Sequence, residues 1–262
     1  MLGAIAGDII GSIYEHNPIK TTEFPLFGHY STFTDDTVLT IAVAYAILEN
    51  MDYTTLLKYF GRKYPDAGYG MFFYRWMFAS KSEPYNSWGN GSAMRVSPVG
   101  FAFDSIEEVL KEAEKSAAVT HSHPEGIKGA QATALAILLA RMGNSKTEIK
   151  QEISARFSYN LDRTLDQIRP DYSFDVSCQG TIPEAIIAFL ESTDFEDAIR
   201  KSISLGGDSD TLACITGGIA QAFYKSIPQA IVKEVYERLP VEFQSIIDEF
   251  NSRYDCGDHL LE

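Results

Sequence analysis

The 262-residue chain is poor in cysteine: it contains three, and no two of them form a Cys-x-x-Cys pair. Because Cys178, Cys214 and Cys256 are odd in number and dispersed, we expect reduced thiols rather than a disulfide framework or a thiolate zinc site. The chain also lacks an apolar run of transmembrane length, since the best candidate, residues 133–140, is far too short. Residues 1–14 lack the basic segment of a signal peptide. We therefore expect a soluble, cytoplasmic protein.

Positive charge is also scarce. The chain has 22 lysines and arginines against 36 aspartates and glutamates, which gives a formal net charge of -14. A protein that binds nucleic acid through its phosphates needs a basic face, and so does one that docks on an anionic membrane, so neither class fits. An acidic protein can nevertheless hold an anionic ligand through a bound metal ion.

Strand-like alternation of apolar and polar residues is nearly absent, and residues 172–176 are the only short candidate for a strand. Apolar residues recur instead at the spacing of helices. The predicted helices are residues 36–48, 105–118, 124–142, 183–190, 194–205, 209–224, 229–239 and 242–250. No linker, repeat or low-complexity tract divides the chain. The sequence therefore predicts an all-α protein, a compact helical bundle that forms a single domain over residues 1–262.

Three segments do not fit the helical pattern, namely residues 17–33, 64–71 and 81–99. They are rich in glycine, proline, serine, asparagine and aromatic residues. Long loops within a compact domain often carry the functional site. We therefore expect the chemistry in these segments and at the helix ends that adjoin them.

Two acidic clusters lie at the starts of predicted helices. The first is Thr34-Asp35-Asp36-Thr37, and the second is Asp208-Ser209-Asp210-Thr211, which follows Gly206-Gly207. Carboxylate and hydroxyl oxygens suit hard cations such as Mg²⁺, Mn²⁺ or Ca²⁺. The alternative is helix N-capping, which these residue types also favour. The duplication favours a shared metal site, and the glycine pair would let the backbone approach a ligand closely.

The two clusters resemble the metal-binding signatures of the ADP-ribosylglycohydrolases. Residues 3–15, 89–95 and 120–124 resemble further signatures of that family, in the same order along the chain. The resemblance implies an all-α fold with a binuclear metal cleft that holds two Mg²⁺ or Mn²⁺ ions. The positions that match the family's metal ligands are Thr34, Asp35, Asp36, Asp208, Asp210 and Thr211.

The resemblance also implies an activity. Family members are metal-dependent hydrolases that cleave the glycosidic bond between ADP-ribose and an acceptor, either a protein side chain such as arginine or serine or a small molecule. Glycoside cleavage passes through an oxocarbenium-like state and normally needs a carboxyl group beside the scissile bond. Asp36, Glu15 and Asp35 are the candidate catalytic residues, with Asp36 and Glu15 open as general acid or base. The alternative for Glu15 is a solvated charge at a helix end.

Candidate substrate contacts follow from the same resemblance. Asn90, Gly91, Ser92 and Met94 would line the phosphates and ribose, and His121 would hydrogen-bond the substrate. The alternative for the glycine-rich loop, residues 89–95, is a plain turn. The alternative for His121 is a histidine that satisfies backbone groups at a helix start.

Three neighbouring residues remain open. Tyr85 or Trp88 could stack on the adenine, although Tyr69, Phe72 and Phe73 are equally good aromatic candidates for the core. Arg95 could pair with the diphosphate or form an internal salt bridge. His121 and His123 have no third nitrogen or sulfur ligand at zinc spacing.

Two other functions compete with the hydrolase. One is a non-catalytic relative that binds ADP-ribose or has a structural role, and the six intact metal-ligand positions argue against it. The other is a Mg²⁺-dependent nucleotide phosphohydrolase, which would also use paired acidic clusters but has no GxxxxGK[ST] loop here. The acceptor and the choice between Mg²⁺ and Mn²⁺ stay open, and we expect a monomer.

Overall fold

The part of the chain described by this computed structural model, residues 1–254 and Cys256, contains fifteen helices and no β-strand. The helices are α1 Leu2–Gly11, α2 Asp35–Glu49, α3 Tyr53–Lys63, α4 Met71–Phe78, α5 Gly91–Met94, α6 Ser97–Ala102, α7 Ile106–Ala118, α8 Pro124–Arg141, α9 Lys146–Phe157, α10 Leu165–Ile168, α11 Cys178–Glu191, α12 Phe195–Ile203, α13 Ser209–Tyr224, α14 Gln229–Arg238 and α15 Val241–Arg253. The predicted all-α fold is confirmed.

The eight predicted helices are all present, most of them to within a few residues, whereas seven further helices were not predicted: α1, α3, α4, α5, α6, α9 and α10. The predicted helix 183–190 begins earlier, at Cys178, because Pro183 lies within α11 instead of opening it. The strand prediction for residues 172–176 is wrong: these residues join no ladder, and the adjacent Ser177 makes one isolated bridge with Gly89. Segment 81–99 is not wholly irregular, because it contains α5 and the start of α6.

Helix α1 was not predicted because it has no polar face. Every one of its ten residues is buried, so its sequence shows no alternation between core and solvent at helical spacing. It packs against α13 with the two backbones in close approach. A Cβ atom added at Gly7 would lie 2.0 Å from the Ala213 carbonyl oxygen, and one at Gly11 would lie 2.5 Å from the Asp210 Cα. Only glycine fits this contact, which brings the C-terminal half of α1 against the start of α13.

Buried apolar side chains form a core cluster that extends from Met1, which precedes α1, to Cys256. Cys178, Cys214 and Cys256 are buried, and none of them forms a disulfide bond within the described part of the chain. None of the helices in the described part of the chain is long and apolar enough to cross a membrane. The single domain over residues 1–262 stays a prediction, because its last residues lie outside the described part.

Gly7→Ala should lower the free energy of unfolding by about 3 kcal/mol or more, because the new methyl group meets backbone that cannot move aside. Gly70→Ala is the matched control: Gly70 has a φ of -57° and no atom within 4 Å of an added Cβ. Its change should stay within about 0.5 kcal/mol. Urea denaturation of both variants measures the difference, and equal stabilities would contradict the close packing of α1 on α13.

Candidate active site

The N-termini of α2 and α13 face one cavity of ≈ 370 Å³. Both acidic clusters line this cavity, which also receives residues from the segment after α1 and from the glycine-rich loop. The predicted site residues that line it are Glu15, Thr34, Asp35, Asp36, Tyr85, Asn90, Gly91, Met94, His121, Asp208, Asp210 and Thr211. Ser92 is the only predicted site residue that does not. The fold thus brings together residues that are far apart in the sequence.

The carboxylates form two overlapping groups. One oxygen each from Asp8, Asp36 and Asp210 lie within 4.8 Å of one another, and the same holds for Glu15, Asp208 and Asp210. Asp210 belongs to both groups, so the two form one continuous patch of acidic oxygen atoms. That arrangement can hold divalent cations only if the carboxylate oxygens are not already occupied by hydrogen bonds, such as those that cap a helix.

Helix capping does not explain the two clusters. Two of the six side chains accept a hydrogen bond from a backbone N–H in the first turn of a helix: Thr34 Oγ1 accepts 3.3 Å from Asp36, and Asp210 Oδ1 accepts 2.9 Å from Thr211. Asp208 occupies the N-cap position of α13, but its side chain caps nothing and instead accepts 2.7 Å from Asn90 Nδ2. Asp36 Oδ1 is buried and has no hydrogen-bond partner. Carboxylate oxygens are therefore left over for another ligand.

The electrostatics of the patch are unfavourable without a cation. Burial raises the pKa of Asp35, Asp36 and Asp210 well above the usual value for an aspartate, and the neighbouring carboxylates raise it further. Burial likewise raises the pKa of Glu15 and of Asp208. Buried like charges repel one another strongly unless a counter-charge compensates them. An all-oxygen donor set with the unpartnered Asp36 Oδ1 therefore fits a hard divalent cation.

Asp8 is a residue of this site that the sequence reasoning missed. It lies fully buried in α1 and accepts hydrogen bonds from Thr34 Oγ1 at 2.7 Å, Thr34 N at 3.0 Å and Thr37 N at 3.1 Å, besides one from Thr37 Oγ1. Burial raises its pKa to about 6, although these hydrogen bonds oppose the rise. Through these hydrogen bonds Asp8 holds Thr34 and Thr37 of the first cluster in place. Its signal in the sequence was a lone carboxylate inside an apolar run.

Gly206 and Gly207 serve the turn before the second cluster rather than a close approach to a ligand. Both have left-handed backbone, with φ of 72° and 79°. A Cβ at Gly207 would lie 2.9 Å from the Ser173 carbonyl oxygen. Lys20 secures the same turn by donating to the Leu205 carbonyl at 2.5 Å and to the Tyr172 carbonyl at 2.6 Å. The turn directs Asp208 towards the cavity.

The segment of residues 64–71 borders the cavity from the side of the first cluster. The Asp35 backbone N–H donates 2.7 Å to the Ala67 carbonyl, which ties this segment to the start of α2. Ala67, Gly68 and Met71 line the cavity beside it. The prediction that this loop adjoins the site agrees with that placement.

The glycine-rich loop forms the opposite wall, and its residues have different duties. Asn90 holds Asp208, as described, and also donates 3.1 Å to Thr181 Oγ1. Gly91 borders the cavity, where an added Cβ would lie 3.2 Å from His121 Nε2. Ser92 is fully buried and donates 2.7 Å to the Gly126 carbonyl, so it acts within the wall. Gly91 thus borders the cavity with its backbone, and a side chain at this position would crowd the His121 ring.

The aromatic and basic candidates separate clearly. Tyr85 lines the cavity and stacks on Phe72, with ring centroids 6.0 Å apart. Trp88 is 51% exposed and does not line the cavity. Arg95 is fully buried and makes no salt bridge with any described residue, so the internal ion pair considered for it is absent from that part of the chain. Its Nη2 donates 2.9 Å to the Ser116 carbonyl and 2.9 Å to Thr120 Oγ1.

Comparison with known proteins adds the following. The sequence profile of a family described as ADP-ribosylglycohydrolase matches residues 1–257. ADP-ribosylhydrolase ARH3 of Xenopus tropicalis is 26% identical over 336 aligned residues, which cover 99% of this chain and 93% of that protein. ADP-ribosylhydrolase ARH3 of Homo sapiens is 27% identical over 332 aligned residues, which cover 94% of this chain and 91% of that protein.

Among solved structures, a chain described as an ADP-ribosylglycohydrolase-related protein complex has the same fold. It superposes with a TM-score of 0.76 at 23% identity, and the match covers 96% of this chain and 95% of that chain. At this level of identity the likeness shows the fold alone.

Asp210→Asn should abolish the binding of divalent cations while leaving the metal-free protein at least as stable, because it removes one of several repelling carboxylates at nearly constant volume. Mg²⁺ or Mn²⁺ at about 100 times the dissociation constant should raise the melting temperature of the unaltered protein by about 5–10 °C. The exposed Glu114→Gln should keep that rise. A rise of normal size in Asp210→Asn would refute the cation site.

The stability of the metal-free protein should fall as the pH rises from about 4 to about 6. The sign follows from Asp8, whose pKa is raised from 3.8 to about 6 in the folded chain. Between these values the folded state binds more protons than the unfolded state, so each rise in pH favours unfolding. Cation-induced stabilisation should grow over the same range, because protons compete for the same oxygens. Denaturant midpoints with Mg²⁺ and with EDTA test both trends.

Proposed function

Because the chain belongs to the ADP-ribosylglycohydrolase family, we propose that it is a metal-dependent hydrolase that releases ADP-ribose from a glycosidic bond to an acceptor. The observation that carries the proposal is the buried carboxylates of Asp36, Asp208 and Asp210, which make no ion pair with any described residue and line the same cavity as the glycine-rich loop. Such a patch is costly for stability, which argues against a purely structural role. The acceptor is a protein side chain, such as arginine or serine, or a small molecule.

Two Mg²⁺ or Mn²⁺ ions would be held by Thr34, Asp35 and Asp36 on one side. Asp208, Asp210 and Thr211 would hold them on the other side. When bound, these ions would supply Lewis acidity towards the ribose hydroxyls and water. Asp8 would keep Thr34 in place through the hydrogen bonds from its side chain and backbone. Asn90 would do the same for Asp208.

Glu15 is the carboxyl group that we propose for proton transfer. It is only half-buried and lines the cavity, whereas Asp36 is almost fully buried within the cluster. Burial raises the pKa of Glu15, which favours the protonated form at a higher pH than in an ordinary glutamate. A group with such a pKa can give a proton to a leaving group and take one from water.

The rest of the cavity suits the remaining parts of ADP-ribose. The diphosphate would lie along the wall at Gly91, where space is left beside His121. The adenine would stack on Tyr85, which Phe72 supports from behind. Phe174 and Val176 form an exposed apolar rim, so the acceptor would enter past a surface without charge of its own.

Release of intact ADP-ribose from arginine- and serine-linked peptides should require Mg²⁺ or Mn²⁺ and stop in EDTA. Chromatography of the products distinguishes the candidates, since a nucleotide phosphohydrolase would give AMP and ribose phosphate. Absence of release combined with calorimetric binding of ADP-ribose would favour a binding protein. Neither release nor binding would leave the likeness as one of fold alone.

Glu15→Gln should lower kcat by about 100-fold or more while changing the affinity for ADP-ribose by less than about threefold, because the amide cannot transfer a proton. Glu23→Gln is a control in the same segment, since Glu23 is exposed and does not line the cavity. Its kinetics should match the unaltered protein. Equal losses of turnover and affinity in Glu15→Gln would assign the residue to binding or folding.

A further inference from the structure

A hydrogen-bonded chain of three side chains runs behind the wall of the cavity, and the proposed chemistry does not use all of it. Arg95 Nη2 donates 2.9 Å to Thr120 Oγ1, which lies 2.8 Å from His121 Nδ1. All three residues are at most 5% exposed. The other ring nitrogen, His121 Nε2, faces the space at Gly91. These hydrogen bonds therefore connect the buried Arg95 to His121, the one histidine among the described residues that lines the cavity.

The direction of these hydrogen bonds follows from the donors available. A guanidinium has no acceptor, so Thr120 Oγ1 must accept from Arg95. The Thr120 hydroxyl has a single hydrogen, and Nδ1 is the ring nitrogen within its reach. If that hydrogen points to Nδ1, the ring hydrogen of a neutral imidazole must be on Nε2.

The charges around His121 favour the neutral ring. Burial holds its pKa well below the usual value, and the positive charge of Arg95 lowers it further. Tyr85 also faces the ring, with centroids 6.0 Å apart, and burial raises its pKa to about 12, so it stays a neutral phenol. The negative charge of Asp35, across the cavity, acts to raise the pKa of Arg95, against the larger effect of burial, and that of Tyr85. No carboxylate in the described part of the chain makes an ion pair with the His121 ring.

We propose that Arg95 and Thr120 are positioning residues that fix His121 as a neutral imidazole with its hydrogen on Nε2, which makes it a donor to a ligand oxygen beside Gly91. The identity of that ligand, ADP-ribose, rests on the proposed function, whereas the position of the hydrogen does not. Arg95 also lines the cavity, and the role that we assign to it is exerted on His121 through Thr120.

The position of the ring hydrogen decides whether His121 Nε2 attracts or repels a ligand oxygen. With hydrogen on Nε2 the ring donates to a phosphate or hydroxyl oxygen, whereas with hydrogen on Nδ1 it presents a lone pair that repels the same oxygen. A neutral donor also leaves the cations and the carboxylate patch as the principal charges in the cavity. Arg95 has no carboxylate partner in the described part of the chain, and its Nε and Nη1 atoms are buried there without a hydrogen-bond partner. Its positive charge disfavours a second one on the His121 ring.

The position of the hydrogen can be measured on the ligand-free protein by long-range ¹H–¹⁵N NMR of the imidazole rings. The chain has five histidines, and the spectrum of His121→Gln identifies the signals that belong to His121. We expect a neutral ring with hydrogen on Nε2 throughout pH 6–8, where ordinary histidines titrate with a pKa of about 6.5. A ring with hydrogen on Nδ1, or one that titrates like an exposed histidine, would overturn the proposal.

Thr120→Val removes the hydroxyl at nearly constant volume, and Thr120→Ser restores it. Thr120→Val should bind ADP-ribose about tenfold more weakly. Its spectrum should show His121 as an exchanging mixture of the two neutral tautomers, one with the hydrogen on Nδ1 and the other with the hydrogen on Nε2. Thr120→Ser should restore the affinity and the spectrum. Mg²⁺-induced stabilisation should be unchanged in both variants, which separates positioning from general damage to the fold.

Three further outcomes distinguish the positioning role from the proposed function. Unchanged affinity in a folded Thr120→Val would overturn the positioning role. If Thr120→Val does not fold, the spectrum of the unaltered protein and the affinity of Thr120→Ser still test the proposal. If the unaltered protein does not bind ADP-ribose, the proposed function fails, whereas the NMR measurement still decides where the hydrogen lies.

Discussion

The contact between α1 and α13 is the constraint on which the site depends. Glycines at positions 3, 7 and 11 let the two backbones approach so closely that an added Cβ at Gly7 would lie 2.0 Å from a carbonyl oxygen. This approach places Asp8 beneath the first acidic cluster and the start of α13 beside it. Since the helices are held by backbone shape rather than by flexible side chains, the carboxylates cannot move apart to relieve their repulsion.

Because the carboxylates are held rigidly, their mutual repulsion favours the binding of a cation. Asp36, Asp210 and their neighbours are buried, and their pKa values are raised because each carboxylate disfavours ionisation of the next. A cation offsets this repulsion, so part of its binding free energy comes from strain that the folded chain already carries. Asp8 and Asn90 hold ligand residues of the two clusters without relying on the cation. We infer a preorganised site.

The wall formed by the glycine-rich loop, opposite the acidic clusters, is stabilised in a different way. Here most polar groups are satisfied within the protein: Ser92 bonds to the Gly126 carbonyl, and Cys178 Sγ donates 3.0 Å to the Gly89 carbonyl. The space beside Gly91 and the Nε2 atom of His121 remain for a ligand. One side of the cavity thus supplies charge, while the other supplies shape and a directed hydrogen bond. A diphosphate-sugar ligand offers groups for both sides.

The sequence by itself determined the helical class, the approximate positions of eight of the fifteen helices and the two acidic clusters, because helical periodicity and residue chemistry are local properties. It did not reveal α1, whose all-apolar surface has no periodicity, or the role of Asp8, which depends on contacts 26 to 29 residues away. It placed Ser92 in the site and left Arg95 open, since both residues lie in a loop of suitable composition. Only the tertiary structure decided that the side chains of Ser92 and Arg95 are buried, because the orientation of the short helix α5 and of the residue that follows it is set by what packs against them.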